Sequence, residues 1–179
     1  AIANSTWYYW FLIRRPDTGV VDVGFDISPT APTLPTNYTQ YRYIGASLTN
    51  GSAQWTKFYQ AGDEFLWDVA VPDTSVGSLF TQTSFTQSVP RGRIMTWVGS
   101  ILWAGAANPS IIVGSPLQTL PSPSPANGDL FPPVAGGSAS TMARVSTNTA
   151  GQIAARADTA STTFRTRTHG WIDQRGKNE

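Results

Sequence analysis

The chain has 179 residues, a formal net charge of +1 and no cysteine. This length fits one domain with its own hydrophobic core, and the lack of cysteine excludes disulfides, thiolate metal sites and cysteine nucleophiles. Only 13% of the residues are charged, which speaks against nucleic-acid binding because such proteins gather a basic excess on one face. A surface with so little charge favours association, so we expect other subunits to cover part of it.

The length of the apolar runs and the first residues of the chain indicate how the chain is organised. No apolar run reaches the ~20 residues of a membrane span, so we expect no membrane insertion. The first residues, AIANSTWYYW, lack the basic start and cleavage site of a signal peptide and enter a strand almost at once. We therefore expect 1–179 to be a single β-rich domain that forms the C-terminal part of a longer chain.

The first predicted elements form a hairpin. Residues 7–14, WYYWFLIR, are apolar on both alternating faces, which predicts a strand buried on both sides. RPDTGV follows as a turn, with Pro16 at its first central position and Gly19 at positive φ. Residues 20–26 return as the partner strand, with Val21, Val23 and Phe25 facing one way. Within it, Gly24 predicts a bulge or a close backbone approach.

A second hairpin follows a proline-rich loop, ISPTAPTLPTNYT. In YRYIGASLTNGSAQWTKFYQ, Asn50 and Gly51 are the preferred pair for a tight turn between strands. GDEFLWDVAV then predicts a strand with Phe65, Trp67 and Val69 on one face.

The remaining chain continues the β pattern. RIMTWVGSILWAG, NPSIIVGS, STMARVSTN, GQIAARADT and TTFRTRTHGWID predict five further strands, with a turn at 148–151 and a free polar tail, QRGKNE. Residues 115–137 hold six prolines, which predicts a Pro-rich loop or arm ordered along a neighbouring subunit. About ten strands without a helix predict an all-β fold, an antiparallel β-sandwich of jelly-roll type with long Pro-rich loops.

The carboxylates do not suggest a catalytic pair. Asp22 and Asp26 share a strand face, but four strand residues separate them by about 13 Å, against about 5–9.5 Å between the carboxyl groups of glycosidases. Asp17, Asp63 and Asp129 stand in turn contexts, where aspartate caps backbone amides. Each carboxylate is therefore expected to have a structural role.

His169 is the only histidine. A Ser-His-Asp triad or a histidine metal site would depend on it alone, and no motif surrounds it. We therefore predict no catalytic residue, no cofactor-binding residue, no metal site and no cofactor, and we expect the chain not to be an enzyme.

The aromatic residues are the remaining candidates for a binding surface. Five of the seven tryptophans sit inside apolar runs, where core burial is the ordinary outcome: Trp7, Trp10, Trp67, Trp97 and Trp103. Trp55 and Tyr38 lie in polar or proline-rich surroundings. We predict these two as surface contacts, either to a receptor glycan or to another subunit.

Two stretches of the sequence carry a family resemblance. The phrase STWYYWFLIRRPDTGVVDVGFDISPTAPTLPTNYTQYRYIGASLTNGSAQWTKFYQAGDEFLW and the ending GWIDQRGKNE resemble a recurrent domain of bacteriophage and prophage virion proteins, the tail or fibre proteins. The resemblance covers about residues 1–70 and, more loosely, the last ten. It implies a non-enzymatic structural protein located in the virion, a homotrimer that contacts other virion proteins and contributes to host attachment through a surface glycan or receptor.

Other functions remain open at this level. A capsid decoration or head-fibre protein of the same architecture has the same sequence features. A tailspike-like polysaccharide depolymerase and a free carbohydrate-binding module are supported only by the aromatic and acidic residues weighed above. The resemblance carries over no catalytic residue.

Overall fold

The computed structural model describes residues 1–105, 108–124, 126, 129–130 and 136–175. These residues contain no α-helix, and all their paired strands run antiparallel. The strands are β1 (Trp7–Arg14), β2 (Val21–Asp26), β3 (Gln40–Leu48), β4 (Phe58–Ala61), β5 (Glu64–Val76), β6 (Thr83–Thr86), β7 (Thr96–Ala104), β8 (Ile111–Gly114), β9 (Ser138–Ser146), β10 (Gln152–Ala157) and β11 (Thr163–Ile172).

The strands form three sheets, which we name for their positions. The amino-terminal sheet has the order β2-β1-β3, the cover sheet β6-β10-β8 and the central sheet β4-β5-β11-β7-β9. The main hydrophobic core lies between the central and cover sheets. Trp97 and Phe164 enter it from one side, and Ile111 and Ile153 from the other, all fully buried. The predicted all-β antiparallel sandwich is confirmed, while its jelly-roll connectivity stays a prediction.

The amino-terminal sheet has a smaller core of its own, formed by Tyr9, Phe11, Ile13, Tyr43 and Ala46. Trp7, at the start of β1, packs against both cores. The centre of its ring system lies 5.6 Å from that of Trp171 and 5.9 Å from that of Trp67. This indole therefore ties the amino-terminal sheet to the rest of the molecule.

The first hairpin forms as predicted. β1 and β2 pair regularly from Arg14 opposite Val21 to Tyr9 opposite Asp26. Gly19 has φ +75°, the left-handed conformation that closes the turn at little steric cost.

The expectation of a bulge or close approach at Gly24 is wrong. The β1–β2 register is unbroken there, and an added Cβ would meet only the Ile13 side chain, at an ordinary 3.6 Å. The irregularity lies on the other side of β1, between Trp10 and Phe11, where β3 inserts an extra residue next to Gly45.

The prediction of a tight two-residue turn at Asn50 and Gly51 is also wrong. The Asn50 amide donates to the carbonyl of Gln54, at 2.8 Å, so three residues form the loop. The left-handed residue is Ala53, with φ +57°. The Asn50 carboxamide oxygen accepts hydrogen bonds from the amides of Ser52 and Gln54, and this side-chain cap stabilises the longer loop in place of a two-residue turn.

Strand β5 departs from the predicted alternation. Phe65 and Trp67 are buried, but Val69 is 76% exposed. β5 and β11 lose register between Leu66 and Val71, where the chain bulges opposite His169. The short strand β6 was not predicted, because TSFT lies in a polar stretch with little apolar pattern; pairing with β10 fixes it.

The proline-rich arm and the tail are described in part. Of 115–137, the structure describes 115–124, 126, 129–130 and 136–137; the rest of the predicted arm, and 176–179 of the tail, lie outside the described residues. Leu130 forms an isolated bridge with Ile111. The tail is not free at Arg175, whose guanidinium donates to the Asp63 carboxylate and the Gly62 carbonyl.

Candidate functional site: an apolar face on the amino-terminal sheet

Strand β2 exposes its apolar side chains instead of burying them. Val21, Val23 and Phe25 are 56%, 58% and 44% exposed. Because side chains alternate along a strand, Asp22 and Asp26 point to the opposite side, next to the small core. In an ordinary half-buried strand the apolar side chains face the core and the polar ones face solvent; in β2 this orientation is reversed.

The loop over residues 27–39 explains the inversion. It covers the inner side of β2, and its backbone amides require acceptors. Asp26 Oδ1 accepts from the Ser28 amide at 2.8 Å, and Oδ2 accepts from the Thr33 amide at 2.9 Å. Burial alone would raise the pKa of Asp26, but these amides outweigh it and hold that pKa below its ordinary value. The carboxylates of β2 thus accept hydrogen bonds from the loop on the inner side of the sheet, and the valines face solvent on the outer side.

Four rings cluster at one end of this outer side. They belong to Tyr8, Trp10, Phe25 and Trp55. Ring centres lie 5.0 Å apart for Trp10 and Phe25, 5.5 Å for Trp10 and Trp55, and 5.6 Å for Tyr8 and Trp55. The Trp10 indole also donates to the Ser47 hydroxyl at 3.0 Å. We call the surface formed by Trp10, Leu12, Val21, Val23, Phe25 and Trp55 the apolar face.

The prediction that β1 is buried on both sides is therefore only partly right. Tyr8 is 6% exposed and Trp10 is half-buried, because the rings of Phe25 and Trp55 pack against both. Leu12 is 37% exposed. It lies beside Val21 in a groove of about 230 Å³ that runs across the three strands.

The two residues predicted as surface contacts lie on opposite sides of this sheet. Trp55 is 40% exposed and belongs to the apolar face. Tyr38 packs against the small core on the inner side, and its hydroxyl donates to the Asp22 carboxylate. That hydrogen bond raises the pKa of the Tyr38 phenol above its ordinary value. The structure does not bring the two together into one site.

Sequence reasoning missed the exposed side chains of β2. It predicted correctly that Val21, Val23 and Phe25 face one way, but alternation alone favours placing such a face in the core. The signal lay in the following loop, where Ser28 and Thr33 present amides that the Asp26 carboxylate satisfies.

The rim of the apolar face carries positive charge. Arg14 lies opposite Val21 across the β1–β2 ladder, and Arg42 of β3 lies opposite Leu12. Both arginines are exposed. A partner that covers the face therefore meets an apolar centre with basic residues beside it.

A cleft of about 660 Å³ lies between the amino-terminal sheet and the rest of the molecule. Asp73 is the carboxylate that lines it. One oxygen accepts from the Ser88 hydroxyl at 2.6 Å, and the other accepts from the Thr168 hydroxyl. Both oxygens are engaged, and no second acid is among the described residues that line the cleft. These residues therefore do not supply the carboxylate pair of a glycosidase.

His169 lies in a groove on the outer side of the central sheet. Its Nε2 is 3.3 Å from the Ser100 hydroxyl oxygen, the contact that a serine hydrolase uses. In the described part of the chain, no carboxylate is hydrogen-bonded to the other ring nitrogen, so the third member of a triad is not supplied. The groove is instead flanked by Arg165 and Arg167.

The other predicted turn carboxylates have structural partners. Asp17 pairs with the Arg15 guanidinium at 2.8 Å, which holds the pKa of Asp17 below its ordinary value. Asp129 accepts from the Ser124 amide at 2.8 Å. Among the described residues there is no group of three or more side chains that could hold a metal ion.

Comparisons give no relative from which to transfer a role: no family model, curated protein or solved structure matches the chain. The described residues include no helix long and apolar enough to cross a bilayer.

Proposed function

We propose that the chain is a non-enzymatic structural domain of a bacteriophage virion, a tail or fibre domain that contributes to host attachment. Its partners are further copies of itself, as a homotrimer, and other virion proteins. The capsid decoration or head-fibre role is the alternative location for the same assembly function.

The observation that carries this proposal is the apolar face. Soluble monomers rarely expose a contiguous apolar surface unless another molecule binds there. Here Val23 and Phe25 are exposed because the inner side of β2 is committed to the polar loop, so the described residues leave them uncovered. The sequence resembles virion proteins, and in a virion neighbouring protein subunits would cover such a face.

Glycan contact at Trp55 is the second candidate, because its ring is 40% exposed. A row of sugar rings stacks on aromatic faces that share a plane. The ring plane of Trp55 is instead tilted by 48° to Trp10 and 85° to Phe25. This geometry supports a packed aromatic contact with protein more than a flat platform for a polysaccharide.

The test is to locate the chain on phage particles. Antibodies raised against the purified chain, followed by gold labelling and electron microscopy of purified particles, are expected to label each particle at the tail or, in the alternative, at the capsid. Particles without label, from a lysate in which the chain is abundant, would contradict the proposed function.

A binding assay separates the two surface roles of Trp55. In the protein-contact role, Trp55→Ala weakens incorporation into particles and leaves retention on immobilised host surface polysaccharide unchanged. In the glycan role, the same variant loses retention on the polysaccharide. Phe80→Ala, at an exposed aromatic outside the apolar face, is the matched control for both readouts.

A further inference from the structure

The free edge of β2 lies beside the apolar face. β2 pairs with β1 on one side, and within the described part of the chain no strand pairs with its other side. An unpaired edge presents backbone N–H and C=O groups that can add another strand. The hydrogen-bonding pattern between β1 and β2 shows which residues of β2 present these free groups.

The free groups belong to Val21, Val23 and Phe25. The Arg15 amide donates to the Val20 carbonyl at 2.9 Å, and in an antiparallel ladder bonded pairs alternate. Asp22, Gly24 and Asp26 therefore bond to β1 through the register that pairs them with it. The other three residues direct their N–H and C=O groups away from the sheet.

We propose that the β2 edge pairs antiparallel with the β2 edge of a second copy of this chain, with Val23 opposite Val23 across a two-fold axis. This inference rests on the proposed role of the apolar face as an assembly surface, and it names the partner at its edge. The result is a continuous six-stranded sheet in the order β3-β1-β2-β2-β1-β3.

Hydrogen bonding favours this register over its neighbours. Pairing must match the three outward-facing residues of one copy with those of the other. With Val23 opposite itself, Val21 lies opposite Phe25, so all three outward-facing residues are matched with one another. A shift by two residues in either direction leaves only two of them matched.

Charge selects the same register. One shift places Asp22 opposite Asp22, and the other places Asp22 opposite Asp26; like charges directly opposite each other destabilise a sheet. With Val23 opposite itself, Asp22 lies opposite Gly24 and the carboxylates are offset. On the other side of the sheet, the two apolar faces then join into one surface.

The absence of cysteine from the chain allows a direct test. A Val23→Cys variant brings two sulfurs together across the axis, with Cα atoms about 5.5 Å apart, as disulfides require. We expect mild oxidation to give a disulfide-linked dimer on a non-reducing gel, formed about tenfold faster than for Val69→Cys. Val69 is a more exposed valine on β5, 76% against 58% for Val23, and it serves as the control.

The register is tested by two further variants. Val21→Cys and Phe25→Cys are each expected to cross-link slowly alone and rapidly when mixed. Equal rates for Val23→Cys and Val69→Cys, or a Val21→Cys chain that links to itself as fast as Val23→Cys, would overturn the proposal.

Stoichiometry gives an independent measurement. A two-fold contact joins copies in pairs, so a homotrimer built through other surfaces becomes a hexamer. Sedimentation equilibrium of the unmodified chain is expected to give an even number of copies, halved by Val23→Lys. A trimer that is insensitive to this substitution overturns the pairing, whereas particle labelling tests the proposed function separately.

Discussion

At the scale of single residues, the contact between Tyr43 and Asp173 joins the amino-terminal sheet to the end of the chain. The phenol donates to Asp173 Oδ2 at 2.6 Å, and both residues are buried. The Arg93 guanidinium stands 4.4 Å from the centre of the Tyr43 ring. Since a buried carboxylate is costly without donors, the phenol is a structural requirement.

Tyr43→Phe is expected to lower the free energy of unfolding by about 1–3 kcal/mol, because it removes one donor from the buried Asp173 carboxylate. Urea denaturation measures the loss. Tyr41→Phe is the control: Tyr41 also donates a hydrogen bond, to the Thr30 carbonyl, but its side chain is exposed. An equal loss in both variants would contradict the role of burial.

The same phenol predicts the pH dependence of stability. Burial, reinforced by Asp173, raises the pKa of Tyr43 above its ordinary value of 10.0, and burial likewise raises the pKa of Tyr9. Below pH 10 the phenols are neutral in both states and this contribution to stability is complete. As the pH rises above 10, the unfolded chain ionises first, so stability falls.

Urea midpoints measured from neutral pH upward are expected to drop above pH 10. Tyr43→Phe should show a shallower drop, since one phenol no longer ionises on unfolding. A profile for Tyr43→Phe as steep as that of the unmodified chain would contradict the assignment.

At the scale of the elements, β11 is the strand on which the central sheet depends, since it pairs with β5 on one side and β7 on the other. Close backbone contact at Gly170 makes this possible. An added Cβ there would lie 1.9 Å from the Phe65 carbonyl oxygen and 2.9 Å from Leu66 Cα. Both neighbours are backbone atoms, so neither can rotate away.

Gly170→Ala is therefore expected to separate β11 from β5 locally and to lower the free energy of unfolding by about 3 kcal/mol. Denaturant unfolding measures this loss. Gly51→Ala, where an added Cβ meets nothing within 4 Å, is expected to change stability by no more than about 0.5 kcal/mol. Similar effects at both sites would contradict the steric argument.

At the scale of the whole molecule, Trp7 contacts both cores, and it packs on Trp67 and Trp171. Phe65 stacks on Trp171 with ring centres 5.1 Å apart. Packing at this junction holds the amino-terminal sheet, and with it the apolar face, in a fixed place on the sandwich.

Trp7→Ala is expected to lower the free energy of unfolding by about 3 kcal/mol, because the junction loses its largest bridging side chain. Thermal and urea denaturation followed by circular dichroism measure the change. Phe80→Ala, at a 52% exposed ring, should cost much less. A small effect of Trp7→Ala would show that other contacts hold the amino-terminal sheet.

The amino-acid sequence was enough to predict the all-β fold class, ten of the eleven strands found in the described residues, and the first turn, because period-two alternation and turn residues such as Gly19 act locally. It also set aside Asp22 and Asp26 as a catalytic pair from strand spacing alone. The homotrimer, the virion location and the longer parent chain stay predictions. Which side of β2 meets solvent follows from the folded structure and not from the sequence pattern. Alternation defines two sides, but it cannot say which one the loop covers, and the amides of Ser28 and Thr33 turned the carboxylates inward and left Val21, Val23 and Phe25 outside.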